Sequence, residues 1–176
     1  METKLFSKNL HGSIPENRDI FGKFIGEWSL ELTITNLNGI SVQHKGEWHF
    51  HRILQGRAIQ DVWIIPNLNS IDGNEFHEYG TTVRTYNANT KKWKAVWVGP
   101  IQNQFFVFDI DDNNEAIILT ETNNPKLEMK WSFFDIFPNS FQWKSEIRIK
   151  ETGNWFTNYY MKLTRILKQN TIQQNM

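Results

Sequence analysis

Three charged side chains, Arg52, Asp61 and Arg84, lie in stretches that alternate apolar and polar residues, and each falls on the apolar side. Burying such charges unpaired is prohibitive. In the expected strand pairing Arg52 lies diagonal to Asp61, so these two can neutralise one another. Arg84 then stays available for a ligand carboxylate or carbonyl, because its fork suits planar oxygens. A satisfied structural network, or a rim position in water, accounts for the same residues without a ligand. Asp61 in a dry pocket beside Trp63 would have a raised pKa and could donate a proton. Arg52 works against that by favouring the ionised form.

Thr82, Tyr86 and Trp97 share the face of Arg84. Trp48, Trp63, Trp97, Trp131, Trp143 and Trp155 form either a stacking wall for a ligand or an ordinary core. The candidate ligand-binding set is Arg52, Asp61, Trp63, Thr82, Arg84, Tyr86, Trp97, Trp131 and Tyr159. His49 and His51 sit two apart on the opposite face, with no third ligand evident, so no metal site is expected. No axial histidine stands near the last strands, so haem is not expected either. The chain has no cysteine, which excludes a disulfide and a thiolate nucleophile. No G-x-S-x-G and no phosphate-loop glycine spacing occur, and no cofactor is expected.

The 176 residues balance 19 Lys and Arg against 19 Asp and Glu. Nucleic-acid binders carry a basic excess, and this chain has none. The opening METKLFSKNLHGS lacks the apolar core of a signal peptide, and no stretch is long and apolar enough to span a bilayer as a helix. A cytoplasmic protein without membrane partners is expected. Aromatic residues make up 14% of the chain, a supply that suits a pleated two-faced surface and an apolar cavity.

These side chains need elements to position them. Ser13, Pro15 and Glu16 fit a capping box, and Ile20, Phe21, Phe24 and Ile25 follow at helical spacing, so a short N-terminal helix is expected up to Gly26. Beyond it ten strands are predicted, at 27–35, 41–53, 57–65, 78–86, 92–99, 103–110, 115–122, 127–136, 141–150 and 154–164. The loop Pro66–Phe76 is expected at the mouth. One domain is expected over 13–166, with loose termini at 1–12 and 167–176. Turn lengths then set register. A two-residue turn at Gln55-Gly56 places Trp48 opposite Trp63 and Phe50 opposite Asp61. A four-residue loop places Tyr86 opposite Trp93, Arg84 opposite Ala95 and Thr82 opposite Trp97. Small residues at Gly80, Ala95 and Gly99 leave room beside them. A three-residue loop at Pro138–Ser140 pairs Phe133 with Ser145 and Trp131 with Ile147. A hairpin ending in Gly153 turns Trp155, Thr157, Tyr159, Met161 and Leu163 inward.

Phe24-Ile25-Gly26-Glu27-Trp28, where the helix meets the first strand, resembles the G-x-W signature of the lipocalin-like (calycin) group. The resemblance implies a closed antiparallel up-and-down barrel, with Trp28 on its floor and a basic residue of the last strand, Arg165, packed across it. The stretches GRAIQDVWIIP and EYGTTVRTYN also resemble uncharacterised bacterial lipocalin-like proteins of the DUF1579 type. The Arg-x-Tyr carboxylate clamp of intracellular fatty-acid-binding proteins is absent from the last strand, so ligand class is not inherited. Three functions suit such a barrel. It binds a small amphipathic or hydrophobic molecule inside, it works as a cofactor-independent isomerase, cyclase or decarboxylase in the same pocket, or it is a filled interaction protein, such as a homodimer.

Overall fold

Alternation of apolar and polar side chains, broken by turn residues, folds the chain into ten antiparallel strands. The computed structural model describes residues 5–66, 77–113, 115–149 and 153–167. The strands are β1 (Gly26–Thr35), β2 (Ser41–Ile53), β3 (Ala58–Ile65), β4 (Glu78–Asn87), β5 (Lys92–Gly99), β6 (Gln104–Asp112), β7 (Ala116–Glu121), β8 (Leu127–Phe137), β9 (Ser140–Ile149) and β10 (Phe156–Arg165). Each pairs with its neighbour in sequence, and β1 also pairs with β10, so the sheet closes into a barrel. Closure removes the edges along which open sheets aggregate. The seam runs from Trp28 opposite Arg165 to Ile34 opposite Tyr159.

Two hairpins have the register expected from their turns. Trp48 pairs with Trp63, Phe50 with Asp61 and Arg52 with Ile59. Tyr86 pairs with Trp93, Arg84 with Ala95 and Thr82 with Trp97. Two others differ. Phe133 pairs with Trp143 and Trp131 with Ser145, two positions from the expected partners. The turn there is two residues long, and the ladder shifts between Phe134 and Phe137, around a left-handed Asp135 (φ 47°). The two one-residue changes add, so every side chain keeps its expected face. In β10 a single shift between Thr157 and Tyr159 leaves Asn158 as an extra residue. A single shift reverses the alternation. Thr157 therefore lies opposite the outward Glu146. Trp155 sits outside, under Lys130 Nζ (4.0 Å) and Arg148 Cζ (4.7 Å), not in the interior wall.

The expected N-terminal helix is two 3-10 turns, Glu16–Arg18 and Gly22–Phe24. Pro15 has an extended backbone and caps nothing with its side chain, while Ser13 bonds His11 instead. Asp19, with ψ at 57°, separates the turns. Tertiary packing overrides the helical spacing. Phe21 and Phe24 are fully buried in the barrel floor, each contributing about 1.5–3 kcal/mol of apolar transfer energy.

The floor is closed by the pair that the G-x-W resemblance implies. Trp28 Nε1 donates to Phe24 O at 2.7 Å. The Arg165 guanidinium lies 4.1 Å from the Trp28 ring centroid and donates to the carbonyls of Lys23, Ile25 and Pro138 at 2.8 Å each. Gly26 has a φ of 129°, and a Cβ there would meet Arg165 Nη1 at 2.8 Å. The signature glycine is thus required by both its backbone and its neighbour.

Candidate functional site

Inward-facing residues divide the barrel into a filled lower half and a hollow upper end. Above the floor Arg84 and Asp61 are fully buried and ion-paired through Nη1 and Oδ2. Asp61 Oδ1 also accepts the Thr82 N–H at 3.2 Å. The Arg84 guanidinium carbon lies 4.9 Å from the Phe21 ring centroid, 5.5 Å from Phe50 and 5.7 Å from Phe133. Its Nε and Nη2 have no hydrogen-bond partner among the described residues. Arg52 does not pair with Asp61 as expected. It makes a bidentate pair with Asp19 at 2.5 and 3.2 Å, because the first 3-10 turn delivers that carboxylate beneath β2. Tyr86 packs on Trp93 near the floor, with centroids 5.6 Å apart.

Five indoles, Trp48, Trp63, Trp97, Trp131 and Trp143, pack through the middle in one continuous cluster, mostly edge to face. Their centroids are 5.4–5.9 Å apart, within the range of favourable ring contacts. The space expected beside Gly80 and Gly99 belongs to Trp97: a Cβ on either glycine would meet its ring at 2.4 or 2.7 Å.

Above this cluster lies a cavity of about 190 Å³, at the end away from Trp28. Its walls are mainly apolar: Trp63, Phe106, Leu127, Met129, Trp131, Trp143 and Ile147. Polar atoms come from Glu78, Gln104, Ser145, Asn158 and Tyr159. Burial raises the pKa of Glu78, and a 3.1 Å hydrogen bond from the Tyr79 N–H to its Oε1 partly opposes the rise. Burial, then the Glu78 charge, raises that of Tyr159. The Tyr159 hydroxyl lies 3.3 Å from His77 Nε2. His77 stacks on His44 at 5.3 Å, and burial followed by the nearby His44 lowers its pKa. Among the described residues no group of three or more potential metal ligands occurs.

Of the expected ligand-binding residues, Trp63, Trp131 and Tyr159 line this cavity, whereas Arg52, Asp61, Thr82, Arg84, Tyr86 and Trp97 do not. Glu78, Phe106, Met129, Ser145 and Asn158 escaped the sequence reading. Glu78 was within reach of it: Trp63 faces Gly80, so alternation alone puts Glu78 on the inner face opposite Ile65. Asn158 was not, since it is the bulge itself. Residues 67–76, most of the expected mouth loop, lie outside the described residues. A larger concavity of about 670 Å³ lies on the outer face of β7–β9. Lys130 and Lys144 both pair with Glu146 there.

No family model and no curated protein matches the sequence. Solved structures do. The S-type phycobiliprotein lyase CPES from Guillardia theta superposes with a TM-score of 0.58 at 11% identity, over 89% of this chain and 96% of that one. Rv2717c from M. tuberculosis superposes with a TM-score of 0.62, also at 11% identity, over 90% of this chain and all of the other. At such identity the likeness is one of fold: a closed ten-stranded antiparallel barrel.

Proposed function

We propose that this barrel binds a small amphipathic organic molecule, about one ring in size, in the cavity above its indole cluster. The observation that carries the reading is the contrast between a filled lower half and an apolar hollow of about 190 Å³ at one end. An apolar cavity of about 150 Å³ already accepts benzene, whereas drug-sized ligands need about 300–1,000 Å³. Trp63, Trp131 and Tyr159 are the contact residues. Trp97 belongs to the indole cluster that forms the cavity floor, and Asp61, Thr82 and Arg84 lie beneath it. On this reading the protein is a cytoplasmic binder of a small molecule, with neither nucleic acid nor membrane as its partner.

Ser145, 3% exposed and lining the hollow, offers the test. Titration calorimetry with single-ring alcohols gives saturable binding to the native protein. Ser145→Leu fills the space and weakens that binding by about tenfold or more, the equivalent of 1.4 kcal/mol. Native-like binding by the filled variant, or no saturable binding by the parent, overturns the reading.

A further inference from the structure

The charge distribution around the cavity deepens this reading, on which the following inference rests. Among the described residues Glu78 is the only charged side chain lining the hollow. No Lys or Arg pairs with it among the described residues. The two inward arginines are charge-neutralised elsewhere, Arg84 by Asp61 and Arg52 by Asp19, and neither lines the cavity. The remaining wall includes three indoles, a phenyl and a phenol. Ring faces carry the negative side of the aromatic quadrupole and attract cations, indole most strongly. Among the described residues three buried polar atoms of the wall residues have no hydrogen-bond partner: the acceptor Asn158 Oδ1 and the indole N–H donors of Trp63 and Trp143, which suit a neutral oxygen on the same ligand.

These features favour one sign of ligand. A carboxylate would leave water with no cation to receive it, beside another carboxyl. A protonated amine would neutralise Glu78, supply the donor that Asn158 lacks and lay its stem against the rings. Glu78 Oε1 is already held by the Tyr79 N–H at 3.1 Å, which orients the carboxyl. We infer that the cavity selects a small organic ammonium ion, carried on a single ring or a short chain, with Glu78 as its counter-ion and the indole wall as its cage. A volume of about 190 Å³ suits one ring and a short arm.

Three probes of one skeleton separate the possibilities by calorimetry at neutral pH: 2-phenylethylamine, 2-phenylethanol and phenylacetate. The expected order is amine tightest, by about tenfold over the alcohol, with phenylacetate weakest. Glu78→Gln brings the amine to the level of the alcohol measured on the same variant. An amine that binds no better than the alcohol in the native protein overturns the ammonium assignment and leaves the cavity reading standing, and this comparison needs no variant. An amine whose affinity survives Glu78→Gln in a variant with native circular dichroism also overturns it. Failure of all three probes overturns the cavity reading itself.

Discussion

Arg84 and Asp61 hold one another where neither touches water, and that sets the value of each. Removing one partner leaves a buried, uncompensated charge. Arg84→Ala or Asp61→Ala therefore lowers stability by about 3–5 kcal/mol in urea unfolding. The joint change Arg84→Met with Asp61→Leu costs far less, because it removes both charges together. Glu78 behaves in the opposite sense. Its raised pKa means that the folded chain holds the proton more tightly than the unfolded one. The stability this contributes is complete below the unfolded carboxyl range near 4.5 and is lost as pH rises through the folded value. Glu78→Gln thus raises the unfolding temperature at pH 7, by about 2–4 °C for each kcal/mol relieved, and leaves it nearly unchanged at pH 4. Scanning calorimetry at the two pH values reads both outcomes.

Strand-level packing turns on two glycines and two bulges. A Cβ at Gly80 would sit 2.4 Å from the Trp97 ring and 2.8 Å from the Val98 carbonyl. Gly80→Ala must displace the indole, and costs about 1–3 kcal/mol by overpacking. Near-ultraviolet circular dichroism reports the displacement directly. The bulges explain what could be read from the chain. Strand number and the β2–β3 and β4–β5 registers followed from alternation and turn length, whereas closure was an expectation of the G-x-W resemblance. The bulge at Asp135 and the extra Asn158 carry no alternation signal, so the β8–β9 register and the face of Trp155 were beyond reach. The N-terminal segment has helical spacing, yet its rings are fixed by the barrel floor rather than by local propensity. Inward arginines were legible, but their partners were not. Asp19 reaches Arg52 only through the tertiary path of a 3-10 turn. With Arg52 held by Asp19, Asp61 pairs with Arg84 instead.

Taken whole, the barrel separates the seam and floor that hold it together from the cavity proposed to take a ligand. The seam and floor rest on Trp28 and Arg165, at the opposite end from the cavity. Arg165→Ala loses three hydrogen bonds to carbonyls and a cation–π contact. It lowers stability by about 2 kcal/mol in denaturant titration. Affinity for a single-ring alcohol changes less than about twofold, because well-separated sites act independently.

The continuous cluster of indoles has a consequence for the protein's optics. Chromophores at such separations share excitation, so light absorbed anywhere in the cluster migrates among its members before it is emitted. Trp63, Trp131 and Trp143 belong both to the cluster and to the cavity wall. An occupant that touches these three therefore perturbs the emission of the whole set, and the barrel carries its own gauge of whether it is full.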